Sequence, residues 1–284
     1  MDRPHRSPAG PARAGGAPVT ADRPGPARPV ADPGRPASDP GHATSAAPRR
    51  PAVSAAPEAS RFIEARDLFL SFGETPALRG ASLGIRLGEI VAVMGPSGSG
   101  KSTLLHCLAG ILVPAQGQVW LGGQRLDTLS DERRSELRRD RFGFVFQSGQ
   151  LVPELTAEEN VALPLLLSGT RRGPAMTAAR KWFGPLGLDG LERRRSGELS
   201  GGQAQRVALA RGLVAEPEVL FADEPTGSLD SVSGELVMDL LTAAVRERGT
   251  TVVLVTHDAR VAAYADREVV VRDGKVSTLT GAEA

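Results

Sequence analysis

The sequence predicts an α/β core with a mostly parallel sheet, because short apolar runs alternate with helical segments along the chain. The run Ile90–Met94 is continuously apolar, as expected of a strand that is buried on both faces. Apolar runs return at 219–222, 251–256 and 268–271, and residues 236–245 carry apolar side chains at i, i+3 and i+4, typical of an amphipathic helix. Strands that are joined through helices run parallel in one sheet.

Local signals predict the other elements. Residues 68–72 and 81–86 have strand character, and 101–110 is predicted to be a helix that leaves a glycine-rich turn. Ser130 precedes a segment with acids early and bases late, the charge order that a helix dipole prefers. The pair Asp273-Gly274 predicts a tight hairpin turn that leads into a strand over 275–279.

Residues 1–60 differ in composition from the rest of the chain. They hold more than half of the 22 prolines, with much alanine, glycine and arginine and almost no large apolar side chains. Such a segment cannot bury enough surface to offset its conformational entropy, so we expect a disordered tail. The tail is either a solvated extension without a specific role or a tether that binds a partner. The folded domain is expected to span 61–281.

Charge and apolar content exclude several classes of function. The net charge of +1 indicates neither a nucleic-acid partner nor an anionic membrane surface. The apolar runs are much shorter than the roughly 20 residues that span a bilayer, and the first residues carry no signal-peptide pattern. The single Cys107 excludes an internal disulfide and fits a reducing compartment. If the protein serves a membrane, we expect it to do so through a partner.

A phosphate-binding loop follows the first buried strand. Its pattern, G-x-x-x-x-G-K-[ST], is formed by Gly95, Pro96, Ser97, Gly98, Ser99, Gly100, Lys101 and Ser102. The glycines let backbone N–H groups turn toward a phosphate, and the helix that follows adds a partial positive charge. Lys101 is expected to reach the β- and γ-phosphates of a nucleotide, Ser102 to ligate Mg²⁺, and Thr103 to support the α-phosphate.

A pair of carboxylates ends the second apolar run. The strand is expected to deliver Asp223 beside Mg²⁺, and Glu224 next to it can polarise an attacking water as a general base. Without further context, an Asp-Glu pair at a strand end could equally be a solvated turn.

The segment Leu199-Ser200-Gly201-Gly202-Gln203 lies between the phosphate loop and the carboxylates. With it, the chain resembles the nucleotide-binding subunit of an ABC (ATP-binding cassette) transporter. The resemblance implies a P-loop NTPase (RecA-like) core with an antiparallel β subdomain and an inserted α-helical signature subdomain, about 147–205. It also implies that the signature of one subunit closes over ATP held by a partner subunit. ATP would thus be bound by Ser200, Gly201, Gly202 and Gln203, and by Asp230 of the D-loop.

Three more residues match the family's motifs in order. Gln147 resembles the Q-loop residue that touches Mg²⁺ and senses the membrane subunit, which makes it a catalytic and metal-site candidate. His257 resembles the switch histidine that contacts the γ-phosphate, although a histidine after a strand is often structural. Phe72 stands where an aromatic ring stacks on adenine, or else it is a core residue.

The resemblance also implies partners and a location. The ATPase would form a homodimer or pseudo-dimer, bind an integral-membrane permease subunit, and lie peripherally on the cytoplasmic face of the plasma (inner) membrane. Residues 221–227 and 151–164 look like those of macrolide-export, lipoprotein-release and cell-division ATPases. In the family, the region that follows the Q-loop lines the groove for the membrane subunit; here Val161, Leu163 and Leu165 either line that groove or pack internally. The alternative is a nucleotide-switch regulator of a cell-envelope or cell-division complex without solute transport. Ser196 and Ala204 depart from common family residues, at positions that do not touch phosphate in the family.

Overall fold

The structure is a computed structural model that describes residues 61–147 and 149–278. The tail expected at 1–60 and the predicted end of the hairpin at 279 lie outside these residues. The described part forms ten strands, numbered in chain order: β1 (Arg61–Phe72), β2 (Thr75–Arg86), β3 (Ile90–Met94), β4 (Gln116–Leu121), β5 (Gln124–Arg125), β6 (Phe142–Phe146), β7 (Val219–Asp223), β8 (Thr251–Val255), β9 (Arg267–Arg272) and β10 (Lys275–Thr278).

Seven α-helices connect these strands in the described residues, together with one turn of 3₁₀-helix at Ser196–Glu198. They are α1 (Lys101–Leu108), α2 (Asp131–Arg141), α3 (Ala157–Leu167), α4 (Arg172–Arg180), α5 (Gly201–Leu213), α6 (Ser231–Arg248) and α7 (Ala259–Ala262). Ser130 caps α2 as predicted, since its side chain accepts a hydrogen bond from the Arg133 N–H. Gly249 ends α6 with a left-handed φ of 66°.

The strands form two sheets. The larger has six strands in the order β10-β9-β3-β8-β7-β6, and all its pairings are parallel except that of β10 with β9. The smaller is antiparallel, in the order β2-β1-β4-β5. The sequence therefore predicted the parallel core correctly, and the resemblance correctly implied an antiparallel sheet beside it.

Strands β3, β7 and β8 in the middle of the larger sheet are buried on both faces, which explains their continuously apolar runs. Alternate residues of β7 enter two different cores: Val219 and Phe221 pack with β1, β2 and α1, whereas Leu220 and Ala222 pack with α3, α5 and α6. Helices α3 and α4 extend this second core through Val161, Met176 and their neighbours. The helical segment predicted from 147 onward thus shares its apolar core with the parallel sheet.

Two features differ from or extend the sequence-based expectations. The strand β6 was not predicted, although it forms the edge of the larger sheet beside β7. Strands β1 and β2 are both 12 residues long and begin before the predicted runs, because they pair with each other along most of their length. In the described residues, no helix combines the length and apolar character that crossing a membrane requires.

Candidate nucleotide site

The functional candidates meet where the parallel strands end. Four neighbouring strands, β3, β8, β7 and β6, run in the same direction, so their carboxyl ends share one edge of the sheet. The phosphate loop follows β3, His257 follows β8, Glu224 follows β7 and Gln147 follows β6. Ligands of open α/β sheets bind at this edge.

A cavity of about 660 Å³ opens there. It is lined by residues from the phosphate loop and the start of α1, from the start of β2 and from the ends of four strands: Phe72, Thr75, Pro76, Ala77, Ser97, Gly98, Gly100, Lys101, Ser102, Thr103, Gln147, Glu224 and His257. Phe72 is 55% exposed and lines one end of the cavity, so it is not a core residue. Thr75, Pro76 and Ala77 belong to no motif, and sequence reasoning missed them.

Lys101 is fixed across the phosphate loop. Its ammonium group donates hydrogen bonds of 2.9 Å to the carbonyl oxygens of Gly95 and Pro96, and the residue is only 8% exposed. The carbonyls orient a cation at the floor of the cavity, at the point where α1 begins and its N–H groups point outward.

Backbone packing dictates two of the loop glycines. A β-carbon at Gly95 would lie 2.1 Å from the carbonyl oxygen of Val271, and one at Gly100 would lie 2.4 Å from that of Ala77. Both glycines also have positive φ, 141° and 105°. Gly95, Pro96 and Ser99 do not line the cavity; they anchor the loop, and the Ser99 carbonyl accepts a 3.0 Å bond from Gly274 N–H.

One buried carboxylate oxygen is suited to act as a metal ligand. Oδ1 of Asp223 is buried and has no hydrogen-bond partner, which is costly for a carboxylate unless a cation or water satisfies it. The exposed Ser102 lies on the cavity wall at the start of α1. Within the described residues, no cluster of three or more His, Cys, Asp or Glu side chains is arranged to hold a metal. Asp223 is not among the residues that line the cavity, whereas Ser102 is. A carboxylate and a hydroxyl are donor types that suit Mg²⁺ bound together with phosphates.

Glu224 is held in a strained backbone conformation. Its φ of 49° is uncommon for a residue with a β-carbon and costs of order 1–3 kcal/mol. Two hydrogen bonds maintain it: the Glu224 N–H donates to the Val255 carbonyl at 2.9 Å, and the Glu224 carbonyl accepts from Gly227 N–H at 3.1 Å. Strand β8 therefore sets the direction in which the Glu224 carboxylate points.

His257 contacts that carboxylate directly. The imidazole Nδ1 lies 2.7 Å from Oε1 of Glu224, and because an ionised carboxylate only accepts, Nδ1 donates in this pair. The side chain of His257 is 70% exposed, whereas Thr256 before it is buried and its N–H is bonded to the Val93 carbonyl. The strand end is thus anchored while the imidazole projects into the cavity.

Gln147 approaches the segment that follows Glu224. A β-carbon at Gly227 would lie 2.9 Å from Nε2 of Gln147, so a side chain at 227 would displace the amide. Gln147 is exposed and lines the cavity.

The signature residues do not reach this cavity within the chain. Ser200 and Gln203 form a reciprocal cap at the start of α5: Gln203 N–H donates to Ser200 Oγ at 3.3 Å, and Ser200 N–H donates to Gln203 Oε1 at 2.9 Å. Asp230 likewise caps α6 through Ser233 N–H at 3.0 Å. The two helix starts are neighbours, since a β-carbon at Gly202 would lie 3.5 Å from the side chain of Ser233.

Comparison with known proteins assigns the class. The sequence profile described as "ABC transporter" matches residues 78–227. The lipoprotein-releasing system ATP-binding protein LolD of Geobacter metallireducens is 42% identical over 76% of this chain and 98% of its own length. The chain belongs to the ABC transporter family and is an ATP-binding cassette. This confirms the family, the P-loop NTPase fold and the ATPase class predicted from the sequence.

Further relatives indicate which group of ABC ATPases this chain resembles. The macrolide export ATP-binding/permease protein MacB of Marinobacter nauticus is 45% identical over 78% of this chain and 35% of that protein. The chain spans about a third of the length of such combined ATP-binding/permease relatives. The dimeric ATP-binding cassette MJ0796, solved in a post-hydrolysis state with ADP and Pi, superposes with a TM-score of 0.71 at 38% identity, covering 78% of this chain and all of that one. The expected likeness to macrolide-export and lipoprotein-release ATPases is therefore confirmed.

Proposed function

We propose that this chain hydrolyses ATP as the nucleotide-binding subunit of a membrane complex. The observation that carries the proposal is the hydrogen-bonded pair Glu224–His257 at the wall of the cavity that the phosphate loop lines. This pair places a carboxylate and an imidazole where the terminal phosphate of a bound nucleotide would lie. A nucleotide switch without hydrolysis would not need such a pair.

The cavity divides into parts that suit the parts of ATP. The ring of Phe72 offers a stacking face for adenine. The backbone N–H groups of the phosphate loop bind the phosphates, and Lys101 exchanges its two carbonyl partners for β- and γ-phosphate oxygens. Thr103 adds a hydroxyl at the α-phosphate. Each contact to an ionised phosphate contributes about 1.5–3 kcal/mol.

Ser102, Gln147 and Asp223 are the residues that would hold Mg²⁺. The buried, unpartnered Oδ1 of Asp223 supports this set. When bound, the ion neutralises charge on the phosphates and orients them. Glu224 accepts a proton from the attacking water. His257 contacts the γ-phosphate, and its Nδ1 fixes the orientation of the Glu224 carboxylate.

Replacing Glu224 by Gln tests the hydrolytic role. Glu224→Gln keeps the shape of the side chain and removes the base, so ATP affinity should persist while turnover falls by about 10²–10⁴-fold. The matched control is Glu218→Gln, because Glu218 is an exposed carboxylate that pairs with Arg141 outside the cavity. Phosphate release and nucleotide affinity are measured for both variants. Turnover within a few-fold of wild type in Glu224→Gln would remove Glu224 from this role.

The signature acts on a second subunit in this proposal. Ser200, Gly201, Gly202 and Gln203, together with Asp230, lie outside the cavity of their own chain, so they would contact nucleotide held by a partner cassette. The dimeric state named for the similar cassette MJ0796 supports a homodimer or pseudo-dimer.

The complex would include a permease subunit. The names of similar proteins, a lipoprotein-releasing system and a macrolide export ATP-binding/permease protein, support a partner of this class. With such a partner, the subunit would lie peripherally on the cytoplasmic face of the membrane. An apolar cleft of about 420 Å³ beside β6 is a suitable docking place: Phe144, Phe146, Leu163 and the 64% exposed Leu167 line it. Leu167→Asp should release the permease and leave ATP binding unchanged. Leu236→Asp, at an exposed leucine on α6, is the control and should change neither permease binding nor ATP binding.

A further inference from the structure

Side chains of the signature helix bind the backbone of the loop that carries Gln147. Gln205 Nε2 donates to the carbonyl oxygen of Phe146 at 3.0 Å, one residue before Gln147. Arg211 donates to two carbonyls on the other side of Gln147, through Nη2 to that of Gly149 at 2.8 Å and through Nη1 to that of Gln150 at 2.9 Å. Helix α5 therefore holds this loop on both sides of Gln147.

Backbone contacts leave no gap between α5 and this part of the chain. A β-carbon at Gly143 would lie 2.0 Å from the carbonyl oxygen of Gly212, and one at Gly149 would lie 3.1 Å from that of Ala204. Strand β6 at Gly143 and the backbone at Gly149 thus rest directly on the helix. Because close-packed groups have low compressibility, a displacement of α5 along or across its axis also moves the backbone that it contacts.

Gln205 and Arg211 use their hydrogen-bond donors in these bonds to backbone carbonyls. Gln205 is 1% exposed, so its amide has no access to water as an alternative partner. Burial lowers the pKa of the Arg211 guanidinium, and the two carbonyl oxygens are the acceptors that the structure gives it. Arg211 is half-buried and also lines the cleft beside β6, and its charge-assisted hydrogen bonds orient the main-chain carbonyls that accept them.

The signature at the start of α5 and Gln147 at the other end of these contacts would bind different nucleotides, one held by the partner subunit and one in the chain's own cavity. Ser200 to Gln203 form the start of α5, outside the cavity of their own chain. Gln147 lines that cavity. Gln205 lies one turn beyond the start of the helix, so one rigid helix spans the distance between the signature and the loop.

We propose that Gln205 and Arg211 are positioning residues that act through Gln147. They link the position of the signature, set by the nucleotide of the partner subunit, to the position of Gln147 in the subunit's own site. This inference rests on the proposed hydrolytic function. It adds that nucleotide binding at one site changes the position of Gln147 at the other site through these three hydrogen bonds.

The test is a double-mutant cycle on the full chain. Gln205→Met is close in size and removes the donor, and because Oε1 of Gln205 has no hydrogen-bond partner, the substitution loses little else. We expect ATP affinity to stay within about twofold and kcat to fall roughly tenfold to a hundredfold, as small misplacements of catalytic groups do. The Mg²⁺ concentration for half-maximal turnover should rise.

The cycle partner is Gln147→Ala. If Gln205 acts through Gln147, adding Gln205→Met to Gln147→Ala should not lower kcat further. Arg211→Met should behave in the same way, and Arg211→Lys should restore part of kcat by reaching one carbonyl. Arg180→Met is the matched control, because Arg180 pairs with Glu158 away from the loop.

The outcomes are distinct. Additive effects of Gln205→Met and Gln147→Ala, an unchanged kcat in Gln205→Met, or an unchanged kcat in Gln147→Ala would each overturn the inference. None of these results depends on Glu224→Gln, so the hydrolytic proposal stands or fails separately. A loss of turnover that tracks a fall in melting temperature, in Arg180→Met as much as in Gln205→Met, would also overturn it.

Discussion

At the scale of single residues, hydrogen bonds and backbone strain restrict the orientation of the side chains that form the site. The backbone of Glu224 is strained at φ 49° and bonded to β8, and its carboxylate meets Nδ1 of His257 at 2.7 Å. Strain of this kind persists only where the surroundings dictate the conformation. Here the strain aims the carboxylate at the cavity that the phosphate loop lines.

Lys101→Ala should weaken ATP binding and leave the fold intact. The substitution removes a cation that the Gly95 and Pro96 carbonyls hold at the floor of the cavity. A lost contact to an ionised phosphate corresponds to roughly a ten- to hundredfold fall in affinity. Calorimetry checks this, with Lys181→Ala as the control because Lys181 is exposed and does not line the cavity. Equal ATP affinity in Lys101→Ala and wild type would contradict the assignment of the loop.

The motif residues were predictable from the sequence, and the residues that support them were not. Lys101, Glu224, His257 and Gln147 belong to patterns with fixed spacing, and the structure brings all four to one cavity. Gln205 and Arg211 bind backbone carbonyls, which any sequence provides, so nothing in the pattern of residue types indicates such a bond. The unpartnered Oδ1 of Asp223 likewise becomes visible only once burial is known.

At the scale of elements, the parallel strands were predictable because both of their faces are buried. Residues of β3, β7 and β8 alternate between two cores, which produces an uninterrupted apolar run that differs from a half-exposed strand. Strand β6 was missed for a local reason: α2 ends at Arg141 and β6 begins at Phe142, so no turn residue separates a charged helix from a strand of five residues. Gly143 inside the run also weakens its strand character.

A pair of glycine substitutions tests the contact between β6 and α5. Gly143→Ala places a β-carbon 2.0 Å from the Gly212 carbonyl, so we expect a destabilisation of roughly 3 kcal/mol or more. Gly173→Ala, on α4, meets no atom within 4 Å and should be neutral or stabilise by up to about 1 kcal/mol. Urea unfolding measures both. Similar unfolding midpoints for the two variants would show that β6 and α5 do not touch through their backbones.

At the scale of the whole molecule, the proposed function gives the signature a role only across a second subunit, because its residues do not line the cavity of their own chain. Shifting a closing equilibrium from 1:99 to 99:1 takes about 5.5 kcal/mol of differential binding. Several hydrogen bonds to a charged phosphate, at about 1.5–3 kcal/mol each and made at two sites, are sufficient. ADP lacks the γ-phosphate, so hydrolysis should weaken the contact and let the subunits separate. A permease docked beside Gln147 would convert that cycle into transport or mechanical signalling.

Removal of residues 1–60 should leave folding and nucleotide binding unchanged. The segment contains almost no large apolar side chains, so its composition offers no means of packing against the cassette. Melting temperature and ATP affinity of the truncated chain and the full chain provide the comparison. A large drop in melting temperature on truncation would show that the tail stabilises the cassette.

The most direct test of the whole account is the sedimentation of the Glu224→Gln chain with Mg²⁺ and ATP or ADP. The account predicts a dimer with ATP and a monomer with ADP, and a monomer in both when Ser200→Arg is added to block the signature. Ser130→Arg in the same background is the control, because Ser130 caps α2 as Ser200 caps α5. Dimerisation with ATP that survives Ser200→Arg would contradict the account, as would equal sedimentation with ATP and ADP.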